Sequence, residues 1–447
     1  MIRTRARGIP RLLGALGMAG AVAASGVMPA AAAGPNIVSQ WNVIAENTVV
    51  GAGAQQIEGY QYLAYVQLAV YDAVVAIEGG YRPYGPAIDA PDGASADAAV
   101  VQAAYETLVH YFPSSAATLL AARTASLDAI PDGAAESDGI EVGSDAAQGI
   151  IEVRDGDGLR TPIAITSEWT PKAPAPGVWR LTPGAFAPAH TPWVAEMTPF
   201  VLKQADQFLP PPPPSLKSKQ WEADRAEIFA LGRNTSAVRT PEQTATAVFY
   251  SANADRQFNR LGRDVASERS LSVLETARLL AMIDTVAADA GIAVLYAKYH
   301  YQFWRPVTAI DPTAIKPGGD GLGPVPGFDD GNPATQEEVG WRPLLTTPNH
   351  PEYPAAHGTV TSAMVEVMTT FLGTNAVDID VHGFDASGAA GNLNAVHHFD
   401  RANDWRAEII NARLWAGLHY RTSSEAGVAM GRSVAKYDLR NAFQPVR

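Results

Sequence analysis

Two cations seven residues apart, Lys298 and Arg305, sit in the segment Ala297-Lys298-Tyr299-His300-Tyr301-Gln302-Phe303-Trp304-Arg305-Pro306. On a helix that spacing is two turns, so both project from nearly one face. Pro306 predicts that the helix stops there, because the residue before a proline is pushed out of the α region. Two stacked cations at a helix end suit a tetrahedral or trigonal oxyanion, with the arginine adding a planar fork. Taken alone, they are better explained as solvated charges on an exposed face. A second segment, His350-Pro351-Glu352-Tyr353-Pro354-Ala355-Ala356-His357-Gly358-Thr359, leads into Val360, Met364, Val367 and Phe371 at helical period. His357 therefore falls at or near a helix N-terminus, where free N–H groups and the macrodipole favour an anion and a histidine can exchange protons near neutral pH. Merely starting the helix is the competing reading. In a third segment, Asn411-Ala412-Arg413-Leu414-Trp415-Ala416-Gly417-Leu418-His419-Tyr420-Arg421, an unbroken helix would turn Arg413 and His419 about 120° apart. Either the arginine stem wraps around or the helix is interrupted near Gly417. Gly427, Gly431 and Ala435 follow at four-residue intervals and would let another helix approach closely.

In this order the three segments resemble the K-x6-R-P, P-S-G-H and S/A-R-x5-H motifs of the vanadium haloperoxidase and type-2 phosphatidic acid phosphatase superfamily. Trp41-Asn42, Val70-Tyr71-Asp72-Ala73, the Trp179 to Phe200 segment and a later proline run are similar to soluble bacterial vanadium-dependent haloperoxidase-like proteins. The resemblance implies vanadate as cofactor, with His419 as the axial ligand to its vanadium, or as the phosphohistidine-forming nucleophile of a phosphatase that needs no cofactor. It implies that Lys298, Arg305 and Arg413 neutralise equatorial oxygens and that Ala356 donates its backbone N–H. His357 would be the general acid/base, and Lys298 would also polarise bound peroxide. At His350 the family has histidine in bromoperoxidases and phenylalanine in chloroperoxidases, which implies bromide or iodide over chloride; a loop histidine capping a turn is the alternative.

Two positions depart from the pattern. Ala355 replaces the serine whose hydroxyl bonds the anion, a loss on the order of a few kcal/mol of transition-state stabilisation, and Ala356 adds a methyl where the family has glycine. Ser423 stands where many members carry an aspartate that orients the second histidine, which weakens the nucleophilic-histidine reading more than the vanadate-ligand one. The leading expectation is a haloperoxidase acting on hydrogen peroxide and halide. A soluble exported phosphatase acting on a phosphate ester is the second, and a catalytically degenerate oxyanion-binding homologue the third. His397-His398-Phe399-Asp400 could suggest a divalent metal site; adjacent residues diverge on a helix and no ligand spacing recurs, so surface or interface histidines are favoured.

These residues need a scaffold, and the patterning predicts an all-α one, a helical bundle with long Pro-rich irregular segments. Leu63, Val66, Val70 and Val74 share a helical face, Ala98 to Leu120 continues in that style, and Leu271 to Trp304 is the clearest helical stretch. From about Arg154 to Pro214 the chain is dense in Pro, Thr and Trp and cannot be regular helix; its aromatics predict that it packs down. It ends in the proline run Pro210 to Pro214. Helical patterning resumes at Ser215 and after Thr240-Pro241-Glu242, a good helix start. A Gly/Pro/Asp-rich loop spans Asp311 to Pro348, with two helical segments expected beyond it. An N-terminal scaffold over 34–234 and a C-terminal bundle over 235–447 carrying the whole site is the expected division.

The first residues read as an export signal: Arg3, Arg5, Arg7 and Arg11, an apolar stretch from Leu12 to Met28, then Ala31-Ala32-Ala33, with cleavage expected before Gly34. A secreted or periplasmic protein follows as an expectation, without membrane insertion after processing. Removing residues 1–33 takes four basic charges away, so the formal charge goes from −13 to −17. That acidity argues against nucleic acid as a partner, and any anion site must locally invert the global sign. There is no cysteine, which excludes disulfides, thiolate metal sites and cysteine nucleophiles. A homo-oligomer is expected only on base rate.

Overall fold

The computed structural model describes residues 35–162, 172–315, 330–383 and 395–446. The leader expected at 1–33 lies outside them.

Two helices apolar on nearly every side form the centre: α2 (Gln56–Glu78) and α9 (Val273–Tyr301). α9 is long and apolar enough to cross a membrane by composition, yet 94% of that stretch is buried inside the protein, so its apolar surface is used as core. Ser272 and Glu275 close a capping box at its start, accounting for two of the N–H groups a helix end leaves open. Around this pair pack α1 (Ile37–Gly51), α3 (Ala96–Tyr111), α4 (Ala116–Leu127), α5 (Ala134–Val153) and α8 (Ala254–Glu268). The chain is mostly helical, as its patterning predicts.

The Pro/Trp-rich segment packs down as expected. Its only helical piece among the described residues is a short 3-10 turn, Pro192–Glu196. Asp289, buried in α9, accepts from the N–H groups of Phe200, Val201 and Leu202 at 2.6, 2.8 and 2.9 Å, tying the irregular chain to the core helix. The proline run is held by phenols: Tyr301 donates to the Pro210 carbonyl and Tyr353 to that of Pro211. Helices α6 (Lys219–Leu231) and α7 (Pro241–Phe249) follow, the latter with a Thr240/Gln243 capping box.

Beyond Pro348 the described residues hold three helices and a hairpin where two helical segments were expected. They are α11 (Ala356–Leu372), α12 (Ala402–Trp415) and α13 (Arg421–Asn441), after the short α10 (Pro306–Ile310). The hairpin is β1 (Ala376–His382) paired antiparallel with β2 (Val396–Arg401), Ile379 opposite Phe399 and Asp380 opposite His398. Its signal was present as period-two alternation, with Val377, Ile379 and Val381 buried. α11 and α13 lie close because Gly427 and Gly431 have no side chain: a methyl at Gly431 would overlap the Thr359 carbonyl. That close approach brings the start of α11 against the start of α13. A second, aromatic core cluster, including Trp221, Phe303, Trp304, Trp341, Tyr353 and Tyr420, supports the loops where these elements meet.

Candidate active site

Lys298 and Arg305 do not share a helix. α9 ends at Tyr301, and Gln302 takes a left-handed conformation (φ 52°), so Arg305 lies in the extended residue before α10. Pro306 starts a new helical turn rather than ending the old one, and the break falls three residues earlier than expected. The two cations nonetheless converge on the 350–352 loop. Lys298 Nζ donates to the carbonyls of Pro351 (3.0 Å) and Glu352 (2.8 Å), and Arg305 Nε donates to that of His350 (2.9 Å).

Gly417 settles the placement of the other pair. Its φ of 76° ends the α12 helical run, and the close Gly232 carbonyl leaves no room for a side chain there. Arg413 therefore stays on α12, where one Nη donates to the Tyr250 carbonyl at 3.1 Å, while His419 lies in the turn before α13. The interrupted helix is correct and the wrapped stem is not.

His357 is the second residue of α11 and Ala356 the first; the N-cap, Ala355, supplies no side-chain acceptor, so first-turn N–H groups are left to an anion. His350, Ala356, His357, Arg413 and His419 line one cavity of about 210 Å³. Lys298 and Arg305 stand directly behind that surface, fully buried.

Glu352 is the residue that sequence reasoning missed. Its carboxylate accepts from His419 Nδ1 at 2.8 Å and from the Tyr420 N–H at 3.1 Å, while its own N–H donates to the Phe303 carbonyl at 2.8 Å. It thus connects the end of α9, the 350–355 loop and the α12–α13 turn. With Nδ1 protonated toward Glu352, His419 Nε2 carries a bare lone pair, which here accepts from an Arg305 Nη at 3.2 Å. A ligand bonding Nε2 must draw that guanidinium aside. Ser423 Oγ and Glu352 Oε2 are both buried without a well-formed hydrogen bond, although the hydroxyl is near enough to favour the ionised carboxyl. The carboxylate absent at position 423 is therefore supplied from 67 residues before His419. Its local sequence, His-Pro-Glu-Tyr-Pro, carried no sign of that partner.

The electrostatics are those of a pocket short of negative charge. Among the described residues no salt bridge within 4.0 Å engages Lys298, Arg305 or Arg413. Burial, then mutual repulsion, pushes Arg413 down to about 9 and Lys298 well below its usual value; burial takes Arg305 to about 10 against the pull of Glu352. His419 and His357 are held well below the ordinary histidine range by burial and by the same cations, so both are neutral. His357 is enclosed by protein but open to the cavity. His350 is likewise neutral, its Nδ1 3.0 Å from an Arg305 Nη. Arg413 Nε is buried with no partner. Three unpaired buried cations, an open helix start and an oriented histidine lone pair fit a tetrahedral oxyanion.

Residues 278–447 match the family described as the VCPO second helical-bundle domain. Over these residues the chain is similar to the vanadium haloperoxidases. It is 25% identical over 296 residues to the vanadium chloroperoxidase of Curvularia inaequalis, an alignment covering 54% of this chain and 47% of that one. The chain thus spans about half the length of that curated relative. Among solved structures it shares its fold with a bacterial vanadium-dependent iodoperoxidase, at TM-score 0.72 and 21% identity over 92% of this chain and 97% of the other. It shares it also with the holo-type form of a bacterial vanadium-dependent chloroperoxidase, at TM-score 0.66 and 17% identity over 87% and 93%. The five motif residues by which the chain resembles the haloperoxidases are the ones gathered here. His397 and His398 sit on β2 rather than on a helix and do not line the cavity. His398 meets Asp380, Asp400 and Asp378 at 2.8, 3.3 and 3.6 Å on the exposed hairpin.

Proposed function

We propose that the chain is a vanadate-dependent haloperoxidase, oxidising bromide or iodide with hydrogen peroxide to hypohalous acid. The observation that carries this reading is His419: neutral, its Nδ1–H on Glu352, its Nε2 lone pair facing a ring of cations that have no carboxylate of their own. Nε2 of His419 would hold the metal of vanadate, and that tautomer leaves Nε2 free to do so. Vanadate, when bound, supplies a Lewis-acid centre that activates peroxide toward halide. Arg305, Arg413 and Lys298 would hold its oxygens electrostatically, and the N–H groups at the start of α11 would add donors without charge. His357, neutral and open to the cavity, would hold or pass a proton beside the bound group. His350 supports bromide or iodide through the resemblance at that position. The export reading of residues 1–33 adds a secreted or periplasmic setting in which peroxide and halide arrive from solution.

A phosphomonoesterase is the second reading, and the same Glu352–His419 bond suits it. A buried carboxylate on Nδ1 raises the basicity of Nε2, which a histidine nucleophile requires. The deciding assay is bromination of a phenol-red-type indicator with peroxide and bromide, before and after orthovanadate loading and with added phosphate. Vanadate-dependent bromination suppressed by phosphate supports the peroxidase. Vanadate-inhibited ester hydrolysis without bromination replaces it with the phosphatase, and silence in both assays means a pocket that binds without turning over.

A further inference from the structure

The cavity over the oxyanion donors is larger and less polar than peroxide and halide require. His350, His357, Arg413 and His419 give it a polar floor, and Ile57, Tyr60, Phe258, Leu295 and Val360 line it as an apolar wall. The Tyr60 and Phe258 rings lie side by side, centroids 6.3 Å apart and planes 25° apart, forming an aromatic surface. No carboxylate lines the cavity, so nothing there recognises a cation, and an anionic guest would be drawn to the floor and compete with the oxyanion. Tyr60 accepts from Gln56 at 3.1 Å, and burial keeps its phenol protonated, leaving its own O–H for a guest oxygen. At about 210 Å³ the space is below the roughly 300–1,000 Å³ of sites for drug-sized ligands, which fits one ring and excludes a polycycle.

We propose that this wall is a subsite for a small, uncharged, electron-rich aromatic of the simple phenol class, halogenated beside His357 before hypohalous acid escapes. The proposal rests on the haloperoxidase reading. The electron count closes: halide gives two electrons to hydrogen peroxide and, with one proton, yields hypohalous acid and water. A ring carbon then attacks the halogen, the carbon–halogen bond forming as the oxygen–halogen bond breaks. The ring proton combines with the departing hydroxide to give a second water. Neutral His357, open to the cavity, is positioned to carry that proton. The subsite makes two things follow that free hypohalous acid does not: saturable binding of the phenol, and an ortho/para product ratio set by the wall.

The test begins without vanadate. Saturation-transfer NMR of phenol with the full chain should show saturable binding, weakened at least tenfold in Ile57→Trp, which takes up part of the lined space, and retained in Ile57→Val. Gln56→Trp serves if Ile57→Trp does not fold. With vanadate, peroxide and bromide, the ortho/para ratio of bromophenols should differ at least threefold from that given by reagent hypobromous acid. In the blocking variant the ratio should revert while bromination of a dissolved indicator continues. Indicator bromination with no saturable phenol binding, or with the reagent's product ratio, overturns the subsite and leaves the haloperoxidase reading intact. Saturable binding with no bromination of any acceptor overturns the halogenation through the haloperoxidase reading itself.

Discussion

Replacing Glu352 by glutamine separates two things a carboxylate does beneath an oxyanion site. The amide keeps the shape: its oxygen can still accept from His419 Nδ1 and the Tyr420 N–H, and its NH2 would face the Ser423 hydroxyl, which is itself without a partner. The charge is lost. Losing it makes the ring of Lys298, Arg305 and Arg413 more positive, which on its own favours any anion. It also removes the charge that strengthens His419 as a base, and losses of that kind cost about 10–100-fold, or about 1.4–2.7 kcal/mol. Only a ligand that bonds Nε2 feels the second effect. Vanadate affinity, titrated by vanadium NMR, should therefore fall by about 10–100-fold, while phosphate affinity, by calorimetry, should hold or improve. The anion-free protein adds an independent check. Burial lifts the Glu352 carboxyl from 4.5 to about 7, so the folded state binds its proton more tightly than the unfolded chain. Its favourable contribution is fully present below about pH 4.5 and is lost as pH rises through 7, about 3 kcal/mol at 1.4 kcal/mol per pH unit. Glutamine has no such loss, so the variant should gain stability relative to wild type across that window in denaturant titrations. If vanadate and phosphate affinities move together, Glu352 acts only on the field of the cation ring and its strengthening of His419 Nε2 is refuted.

Other substitutions address the rest of the site. His419→Ala should abolish tight vanadate binding, whereas His357→Ala should bind vanadate and lose about 10²–10⁴-fold in turnover; wild-type behaviour of both would remove the assigned pocket. Ala355→Ser places a side-chain cap on α11, adding about 0.5–2 kcal/mol to stability, and returns a donor to the anion. Turnover should rise with the melting temperature, and a stabilised variant with unchanged kcat would mean the pocket has adapted to alanine. His357 is held low by burial and then by Arg413, Lys298 and Arg305, so an oxyanion that offsets those charges should raise its pKa. Phosphate binding near pH 6 should then take up protons, read as a dependence of calorimetric heat on buffer ionisation enthalpy; no dependence counts against that coupling. Gly431→Ala would drive a methyl into the Thr359 carbonyl and should cost about 1–3 kcal/mol by thermal melt.

What could be read from the chain is what is encoded locally. Capping residues at Thr240 and Ser272 announce their helices, and the alternation of small residues at Gly427 and Gly431 announces a close neighbour. The order and spacing of Lys298, Arg305, His357, Arg413 and His419 announce an oxyanion site. Where a reading failed, the deciding partner was remote. Helical spacing put Lys298 and Arg305 on one face, but Gln302 turns left-handed and the cations meet only through the 350–352 loop. The Ser423 position was read as a missing carboxylate because Glu352 reaches His419 from 67 residues upstream. The apolar cavity wall draws on α2, α8, α9 and α11, four elements no single segment of sequence sets side by side.

The same physics explains how an acidic protein keeps three cations buried and available. Removing a charge from water costs several kcal/mol unless something replaces the lost hydration. A carboxylate would do so, but it would also cancel the charge the site needs. Lys298 is instead solvated by the carbonyls of Pro351 and Glu352, Arg305 by those of His350 and Leu418, and Arg413 by that of Tyr250. Carbonyl dipoles lower the cost of burial without neutralising, so the positive field survives at the cavity floor. The one carboxylate admitted, Glu352, points its charge at the back of His419. Backbone carbonyls occur at every residue and mark no position in a sequence, which is why the cations were legible from their types and spacing while the means of burying them was not.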